Sequence, residues 1–321
     1  MFIEMIKCHG TGNDFILIDE ISYDYNFTEE DRKNLAIKLC DRKKAIGGDG
    51  ILFVQKSEKC VGKMQIINSD GSEAEMCGNG LRCVGKFLLE TTGENKILVE
   101  TMKAVYLVEK VQDIYKGVFT DEITIDSIDF NVDSLPLVYE KENLFFEKLT
   151  ALSDIREFTA ISITNPHLVS FVEEIEKEEL KAVGIKANDT KELLPKGVNV
   201  NYVKEIDEDS IYVKTYERGV GLTKSCGTGM VSSSIATLLK HGINEKTYNV
   251  YNDGGMIQCK VTKNEDGIFR VMMRGNATFI YKSTISIERN FNYSEGEREY
   301  FTKENQCYEE FLAYTKNIIN K

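Results

Sequence analysis

The chain lacks the features that mark membrane, exported and nucleic-acid-binding proteins. No segment approaches the roughly 20 consecutive apolar residues of a transmembrane helix. The N-terminal MFIEMIKCHG lacks the basic, apolar and small-residue order of a signal peptide. Asp and Glu number 52 against 40 Lys and Arg, and this net charge of −12 is opposite to the basic surface that nucleic acids require. We therefore expect a globular cytoplasmic protein with no membrane segment and no nucleic-acid partner.

The cysteines also lack the spacings that would make them structural. No CxxC pair occurs, and the positions form no paired disulfide framework and match no common zinc spacing. We expect reduced thiols and no metal site, which leaves a thiol redox or metal-binding protein only as a distant alternative. The eight residues are Cys8, Cys40, Cys60, Cys77, Cys83, Cys226, Cys259 and Cys307.

Two of these cysteines lie in matching motifs in the two halves of the chain. Cys77 stands in EMCGNGLRC and Cys226 in KSCGTGMVS, and each motif precedes a run that is able to form a helix. A helix N-terminus offers unpaired N–H groups and a dipole that favour a thiolate. Two such sulfurs suggest acid/base groups that face one substrate from opposite sides and invert a stereocentre.

The glycines of the two motifs predict an anion site that is too small for a nucleotide. GNGLRC has Cys83 where the dinucleotide pattern GxGxxG requires its third glycine, and CGTG lacks the Gly-Lys-Ser/Thr of a P-loop. Backbone N–H groups at the two helix N-termini could instead hold one carboxylate. These groups belong to Gly78, Asn79, Gly227 and Thr228.

The order of predicted elements indicates a duplicated α/β chain. Each half reads as strands, a cysteine turn, a helix and further strands, with predicted helices at 81–93 and 230–242 that end at Gly93 and Gly242. The length of 321 residues is typical of about two domains. A last segment, 289–321, contains an amphipathic run that we expect to form an appended helix.

Several polar residues stand beside glycine or proline turns, where side chains are held in fixed directions. Most of them, taken singly, are turn residues or caps. Asn199 interrupts an apolar strand, so we expect its amide to have a specific partner. Arg218, if it lies in a cleft, suits bidentate binding of a carboxylate. The full set is Asn13, Asn68, Asn165, His167, Asn199, Glu217 and Arg218.

Seven motifs taken in order resemble the signatures of the diaminopimelate epimerase family over residues 1–288. They are HGTGNDF, IGGDG (46–50), NSDGSEAEMCGNGLRC, TNPH, GVNV, YERGVGLTKSCGTG and DGG (253–255). The resemblance implies an α/β (α+β) fold of two pseudo-symmetric lobes, each a curved, mostly antiparallel sheet wrapped around a central helix. The implied boundaries are 1–127 plus 276–288 for the lobe with Cys77, 128–275 for the lobe with Cys226, and 289–321 for the appended tail.

The same resemblance implies an isomerase that interconverts L,L- and meso-2,6-diaminopimelate, in lysine and peptidoglycan precursor biosynthesis. It needs no cofactor and is typically a homodimer. By similarity, Cys226 removes the α-proton, Cys77 returns a proton, and His167 and Glu217 tune the thiols. The implied substrate-binding set is Asn13, Asn68, Asn165, Asn199, Glu217 and Arg218, with Gly78, Asn79, Gly227 and Thr228 around the reacting carboxylate.

The chain departs from the family pattern at one turn, which leaves the substrate open. Many members carry Phe-Asp-Gln where this chain has Gly48-Asp49-Gly50, so one contact to the substrate is in question. The alternative is a related racemase of another amino acid, of the histidine, proline or hydroxyproline type. Arg218 together with several asparagines favours a substrate that has a second charged end.

Overall fold

A computed structural model of the protein describes residues 1–288 and 292–320. The chain forms two compact units. The first contains Met1–Ile123 and Arg274–Ala313, and the second contains Thr124–Met273 and the residues from Tyr314 onward. The predicted appended segment, 289–321, begins and ends at residues outside the described part of the chain, 289–291 and 321.

The strands and helices are as follows. The strands are β1 (Phe2–Gly10), β2 (Asn13–Asp19), β3 (Gly50–Gln55), β4 (Gly62–Asn68), β5 (Glu73–Ala74), β6 (Lys96–Glu100), β7 (Val105–Lys110), β8 (Thr120–Ile125), β9 (Ile128–Asp129), β10 (Glu147–Lys148), β11 (Glu157–Ile163), β12 (Asn165–Phe171), β13 (Asn199–Asp207), β14 (Ser210–Glu217), β15 (Gly221–Leu222), β16 (Glu245–Asn252), β17 (Gly255–Lys263), β18 (Phe269–Asn276), β19 (Thr278–Ile287), β20 (Tyr293–Glu295) and β21 (Glu299–Tyr300). The helices are α1 (Glu29–Leu39), α2 (Gly78–Thr92), α3 (Lys177–Asp189), α4 (Gly227–His241) and α5 (Thr302–Ile319), with a short 3-10 helix at Val132–Ser134.

The strand pairings confirm the predicted duplication. In the first unit, β1 and β2 are antiparallel, β2 and β3 parallel, β3 and β4 antiparallel, β4 and β6 parallel, and β6 and β7 antiparallel. In the second unit, β11 to β14, β16 and β17 pair in the same alternation. The parallel pairs need crossover connections. In each unit those connections contain one peripheral helix and then the helix that follows the cysteine motif.

The helix after each cysteine motif is the buried centre of its unit. Most residues of α2 and of α4 are buried, including polar ones on faces that a surface helix would expose to water. α2 contacts β1 to β4, β6 and β7, and α4 contacts β11 to β14, β16 and β17. Each sheet therefore surrounds its helix, and the predicted fold class is confirmed.

Both central helices begin three residues before the predicted starts, at Gly78 and Gly227. Glycine is a poor helix former, and for that reason the sequence pattern predicted turns at these residues. The predicted ends are confirmed, because Gly93 and Gly242 adopt left-handed conformations with φ of 73° and 64°. The early starts make each motif cysteine the N-cap of its helix.

The predicted C-terminal helix is confirmed as α5, which packs on the first unit through its residues up to Ala313. Phe311 is fully buried, and the Tyr308 ring lies 4.2 Å from the ring of His9. Glu304 accepts a hydrogen bond of 2.5 Å from the buried ammonium of Lys86 on α2. None of the helices in the described residues is long and apolar enough to cross a membrane.

Candidate active site

Cys77 caps the N-terminus of α2. Its backbone is extended, with φ −144° and ψ 113°, and its carbonyl accepts the first helical hydrogen bond, from Leu81, at 2.8 Å. The Gly80 N–H donates to the Cys77 Sγ at 3.5 Å. The sulfur thus occupies the position where a serine or aspartate oxygen caps an ordinary helix. The partial positive charge of the helix end favours the thiolate at this position.

Asn13 contacts both Cys77 and Asn79. The Asn13 Oδ1 lies 3.6 Å from the Cys77 Sγ and accepts a hydrogen bond of 3.1 Å from the Asn79 Nδ2. The Asn79 Oδ1 in turn accepts from the Arg82 Nη2 at 2.8 Å. The same nitrogen of Arg82 donates to the hydroxyl of Thr11, and this guanidinium is fully buried.

The turn that departs from the family pattern supplies Asp49 to the same network. The Asp49 Oδ2 accepts from the Asn13 Nδ2 at 2.5 Å and from the backbone N–H of Asp14 at 3.1 Å. Its other oxygen accepts from Arg42 at 2.7 Å, and Arg42 also bridges to Asp14. Lys7 is buried and donates to Asp14, so the carboxylate of Asp14 lies between two cations. Burial acts to raise the pKa of Asp14, but hydrogen bonds and charges from Arg42 and Lys7 outweigh it and hold that pKa below its usual value.

Asn68 ends β4 beside this turn, where it is the register partner of Gly50. Its side-chain amide donates to the Ser72 hydroxyl at 3.0 Å. A Cβ added at Gly50 would lie 2.6 Å from the carbonyl oxygen of Ile67. Backbone therefore blocks the place where many family members carry glutamine, and a side chain at residue 50 would require the strands to shift.

Cys226 is the N-cap residue of α4, as Cys77 is of α2, but its side chain makes no capping hydrogen bond to the helix. Its backbone is extended, with φ −122° and ψ 108°, and its Sγ lies 3.6 Å from the Thr228 hydroxyl. The first turn of α4 packs closely on the sheet, since a Cβ at Gly229 would lie 2.4 Å from the Asn201 Oδ1 and 2.8 Å from the Thr215 hydroxyl. Glycine at residue 229 allows this approach.

His167 is fully buried on β12 and is held from both sides by amides. Its Nε2 lies 2.9 Å from the Asn165 Oδ1, and its Nδ1 lies 3.1 Å from the Asn201 Nδ2. Burial lowers the pKa of His167 to about 3, with a smaller contribution from the charge of Arg218. The imidazole is therefore neutral at physiological pH. The Asn201 amide donates to Nδ1, so the ring proton is on Nε2 and faces Asn165.

Asn199, Glu217 and Arg218 form a second polar group in the same unit. The Asn199 Oδ1 accepts from the backbone N–H of Arg218 at 2.8 Å, which confirms that this strand-interrupting amide has a specific partner. The Thr223 hydroxyl donates to the Glu217 carboxylate at 2.5 Å. The Arg218 guanidinium donates to the carbonyl of Lys196 at 2.9 Å.

The structure brings the predicted residues into two groups, one in each unit. In the first unit, Asn13 contacts both Cys77 and Asn79, Gly78 opens α2, and Asn68 pairs with Gly50, the residue after Asp49. In the second unit, His167 contacts Asn165, Asn199 contacts Arg218, and Gly227 and Thr228 open α4 after Cys226.

Sequence reasoning missed three residues in these groups. Asn201 interrupts the apolar strand β13 two residues after Asn199, so the signal that identified Asn199 was present for it too. Asp49 was noted only for its flanking glycines. Arg82 lies inside the GNGLRC motif, but the sequence offers no sign that a cation there is fully buried.

The fold is that of known epimerases and related proteins. A Bacillus anthracis phenazine biosynthesis protein has a crystal structure that matches with a TM-score of 0.66 and 15% identity, covering 89% of this chain and all of that one. A hydroxyproline epimerase from Agrobacterium vitis matches with a TM-score of 0.63 and 13% identity, over 89% of this chain and 92% of that one. At these identities the likeness defines the fold alone.

Sequence comparison defines the family. The family model for diaminopimelate epimerase matches residues 5–120 and 159–280. A diaminopimelate epimerase of Clostridium acetobutylicum is 52% identical, over 98% of this chain and 95% of that protein. One of Listeria innocua is 39% identical, over 99% of this chain and 98% of that protein. The chain therefore belongs to the diaminopimelate epimerase family and is an isomerase.

Proposed function

We propose that the protein interconverts L,L- and meso-diaminopimelate by a two-base reaction in which Cys226 removes the α-proton and Cys77 delivers a proton to the opposite face. The observation that carries this proposal is the repeated N-cap: each duplicated unit holds one cysteine at the first turn of its buried central helix. Family membership supports the substrate. The reaction requires both sulfurs to reach one α-carbon.

The protons and electrons balance over one turnover. The Cys226 thiolate takes the α-proton, and the C–H electron pair moves into the α-carbon and its carboxylate. The Cys77 S–H bond then breaks as a new C–H bond forms, so the turnover ends with a thiol at Cys226 and a thiolate at Cys77. The reverse reaction starts from that state, and proton exchange with solvent resets it.

In this mechanism, backbone amides provide much of the stabilisation that lowers the activation barrier. General acid/base catalysis accelerates a reaction by about 10²–10⁴-fold, which is insufficient for removing a proton from an unactivated α-carbon. Hydrogen-bond donors must stabilise the negative charge that develops on the carboxylate. Each well-placed donor raises kcat by roughly 10²–10³-fold. The N–H groups that begin α2 and α4 have no intrahelical acceptor. We assign this role to Gly78 and Asn79, and to Gly227 and Thr228.

The remaining polar residues recognise the rest of the substrate. We propose that Arg218 and the amides of Asn13, Asn68, Asn165 and Asn199 bind the distal amino and carboxylate groups. A guanidinium suits a carboxylate because it presents paired donors. We assign His167 and Glu217 to tuning the thiols, with His167 acting as a neutral imidazole, in keeping with the pKa of about 3 that burial gives it.

Chiral chromatography of the reaction mixture tests the proposal. The purified protein should convert L,L-diaminopimelate to the meso isomer, and Cys77→Ala and Cys226→Ala should each lose this activity. Cys259→Ala, which changes a buried cysteine outside the motifs, is the matched control. Conversion of proline, hydroxyproline or histidine in place of diaminopimelate would overturn the substrate, and near-normal turnover in either motif variant would overturn the mechanism.

We further propose that the enzyme acts in the cytoplasm as a homodimer. The reduced-thiol composition supports the compartment, and the family resemblance supports the dimer. Light scattering coupled to size-exclusion chromatography should give twice the chain mass of 36.5 kDa. A mass of one chain would contradict the dimer.

A further inference from the structure

A chain of hydrogen bonds with one charged residue at each end passes beside Cys77. It runs from Arg82 to the Asn79 Oδ1 at 2.8 Å, from the Asn79 Nδ2 to the Asn13 Oδ1 at 3.1 Å, and from the Asn13 Nδ2 to Asp49 at 2.5 Å. Arg82 is fully buried and Asn79 is 2% exposed. All three hydrogen bonds run in the same direction, from Arg82 towards Asp49, which only accepts.

The charges at the two ends fix how both amides are turned. A guanidinium has only donors, so Asn79 must present its oxygen to Arg82 and its NH2 group to Asn13. An ionised carboxylate has only acceptors, so Asn13 must present its NH2 group to Asp49 and its oxygen to the other side. The Asn13 oxygen therefore faces the Cys77 Sγ, at 3.6 Å.

We propose that Asp49 and Arg82 are positioning residues, which hold the Asn13 carbonyl as an acceptor for the Cys77 thiol. The inference rests on the proposed role of Cys77 as the proton donor. An acceptor stabilises the protonated sulfur, whereas the Gly80 N–H, which donates to the same sulfur, stabilises the thiolate. The Asn13 oxygen thus favours the thiol and the Gly80 N–H favours the thiolate, the two states of Cys77 before and after its S–H bond breaks and the α-carbon gains the proton.

The test measures the pH dependence of Cys77 alkylation by iodoacetamide, with peptide mass spectrometry to separate Cys77 from the other cysteines. Asp49→Ala removes the acceptor that turns Asn13. The midpoint of alkylation should move down by about one pH unit, a tenfold change in the thiolate-to-thiol ratio. The kcat for L,L-to-meso conversion should fall about tenfold, because the same shift lowers tenfold the ratio of the Cys77 thiol, which donates the proton, to the thiolate.

Two variants control this result. Asp49→Asn keeps an oxygen that can accept from Asn13, and should restore both the midpoint and kcat. Arg42→Gln removes the exposed cation beside Asp49 but leaves the bond between Asp49 and Asn13, and should leave the midpoint unchanged. A midpoint in Asp49→Ala equal to that of the wild type overturns the inference. Equal effects of the alanine and asparagine variants also overturn it, because charge and not the acceptor would then be responsible.

The alkylation measurement needs no substrate, so it separates this inference from the proposed function. If the wild-type protein epimerises diaminopimelate and the Cys77 midpoint does not move in Asp49→Ala, only the positioning role falls. If the wild-type protein does not epimerise diaminopimelate, the proposed function falls first, and a shifted midpoint still supports the hydrogen-bond chain.

Discussion

Gly229→Ala should be strongly destabilising although it replaces glycine by the best helix former. In an exposed helix this change would stabilise by roughly 0.5–1 kcal/mol. Here the added Cβ would lie 2.4 Å from the Asn201 Oδ1 and 2.8 Å from the Thr215 hydroxyl. Ordinary contact starts at 3.4 Å, so the buried side chains or the helix must move by several tenths of an ångström to about 1 Å.

The magnitude follows from what that movement breaks. Overpacking costs about 1–3 kcal/mol. Asn201 also accepts from Thr215 and donates to His167, and a buried polar group that loses its partner costs about 1–3 kcal/mol. We expect Gly229→Ala to lower the free energy of unfolding by about 2–5 kcal/mol in total. Activity should fall about 100-fold, because Cys226 opens the same turn and small displacements of a catalytic group have effects of this size.

Urea unfolding and the epimerase assay measure the two effects. Gly242→Ala is the matched control, since it lies at the other end of α4, where a Cβ meets open space but φ is +64°. That backbone strain should cost about 1–2 kcal/mol and leave activity intact. If Gly229→Ala is as stable as the wild type or retains full activity, the close approach of α4 to Asn201 is wrong.

Three further predictions concern the packing and charge of the two units. Glu304→Gln removes the nearer of two carboxylates that contact the buried Lys86 ammonium, the other being Glu90 at 3.8 Å, and should lower the unfolding free energy by about 1.5–3 kcal/mol in urea, while the exposed Glu309→Gln should not. The pKa of His167 is about 3 in the folded protein and 6.5 ordinarily, so between these pH values the unfolded chain binds more protons than the folded one. The free energy of unfolding should therefore decrease as the pH is lowered below about 6.5, and His167 contributes up to about 1.4 kcal/mol of this decrease per pH unit. His167→Gln should reduce that slope, and an unchanged slope would contradict the buried neutral ring. Gly50→Gln, the residue of many family members, should lower the melting temperature through overpacking of about 1–3 kcal/mol, and a wild-type value would refute the backbone clash.

Local chemistry explains what the sequence could predict. The two Cys-Gly-x-Gly motifs and the terminal glycines of α2 and α4 are capping signals that act within a few residues. Runs of β-branched and apolar residues likewise identified the central strands. These signals were sufficient for the duplication, because the same order of elements occurs twice.

Non-local pairing explains what was missed. β1 was not predicted, and it is held between β2 and β19, whose residues come from opposite ends of the chain. α3 begins at Lys177, in a charged stretch where Leu180 alone is buried among the first residues. The buried charge of Arg82 and the partnership of Asp49 with Asn13 also depend on tertiary contacts. Sequence periodicity carries no information about such contacts.

The isotopic composition of early product in deuterium oxide tests the two-base claim most directly. L,L-diaminopimelate is incubated with the enzyme, and the reaction is stopped at low conversion. The two-base reaction predicts meso product with deuterium at the inverted α-carbon and remaining L,L substrate that is still protiated, because different sulfurs remove and deliver the proton. Meso product that retains the substrate's protium, or equal deuterium in substrate and product, would show that a single base acts on both faces.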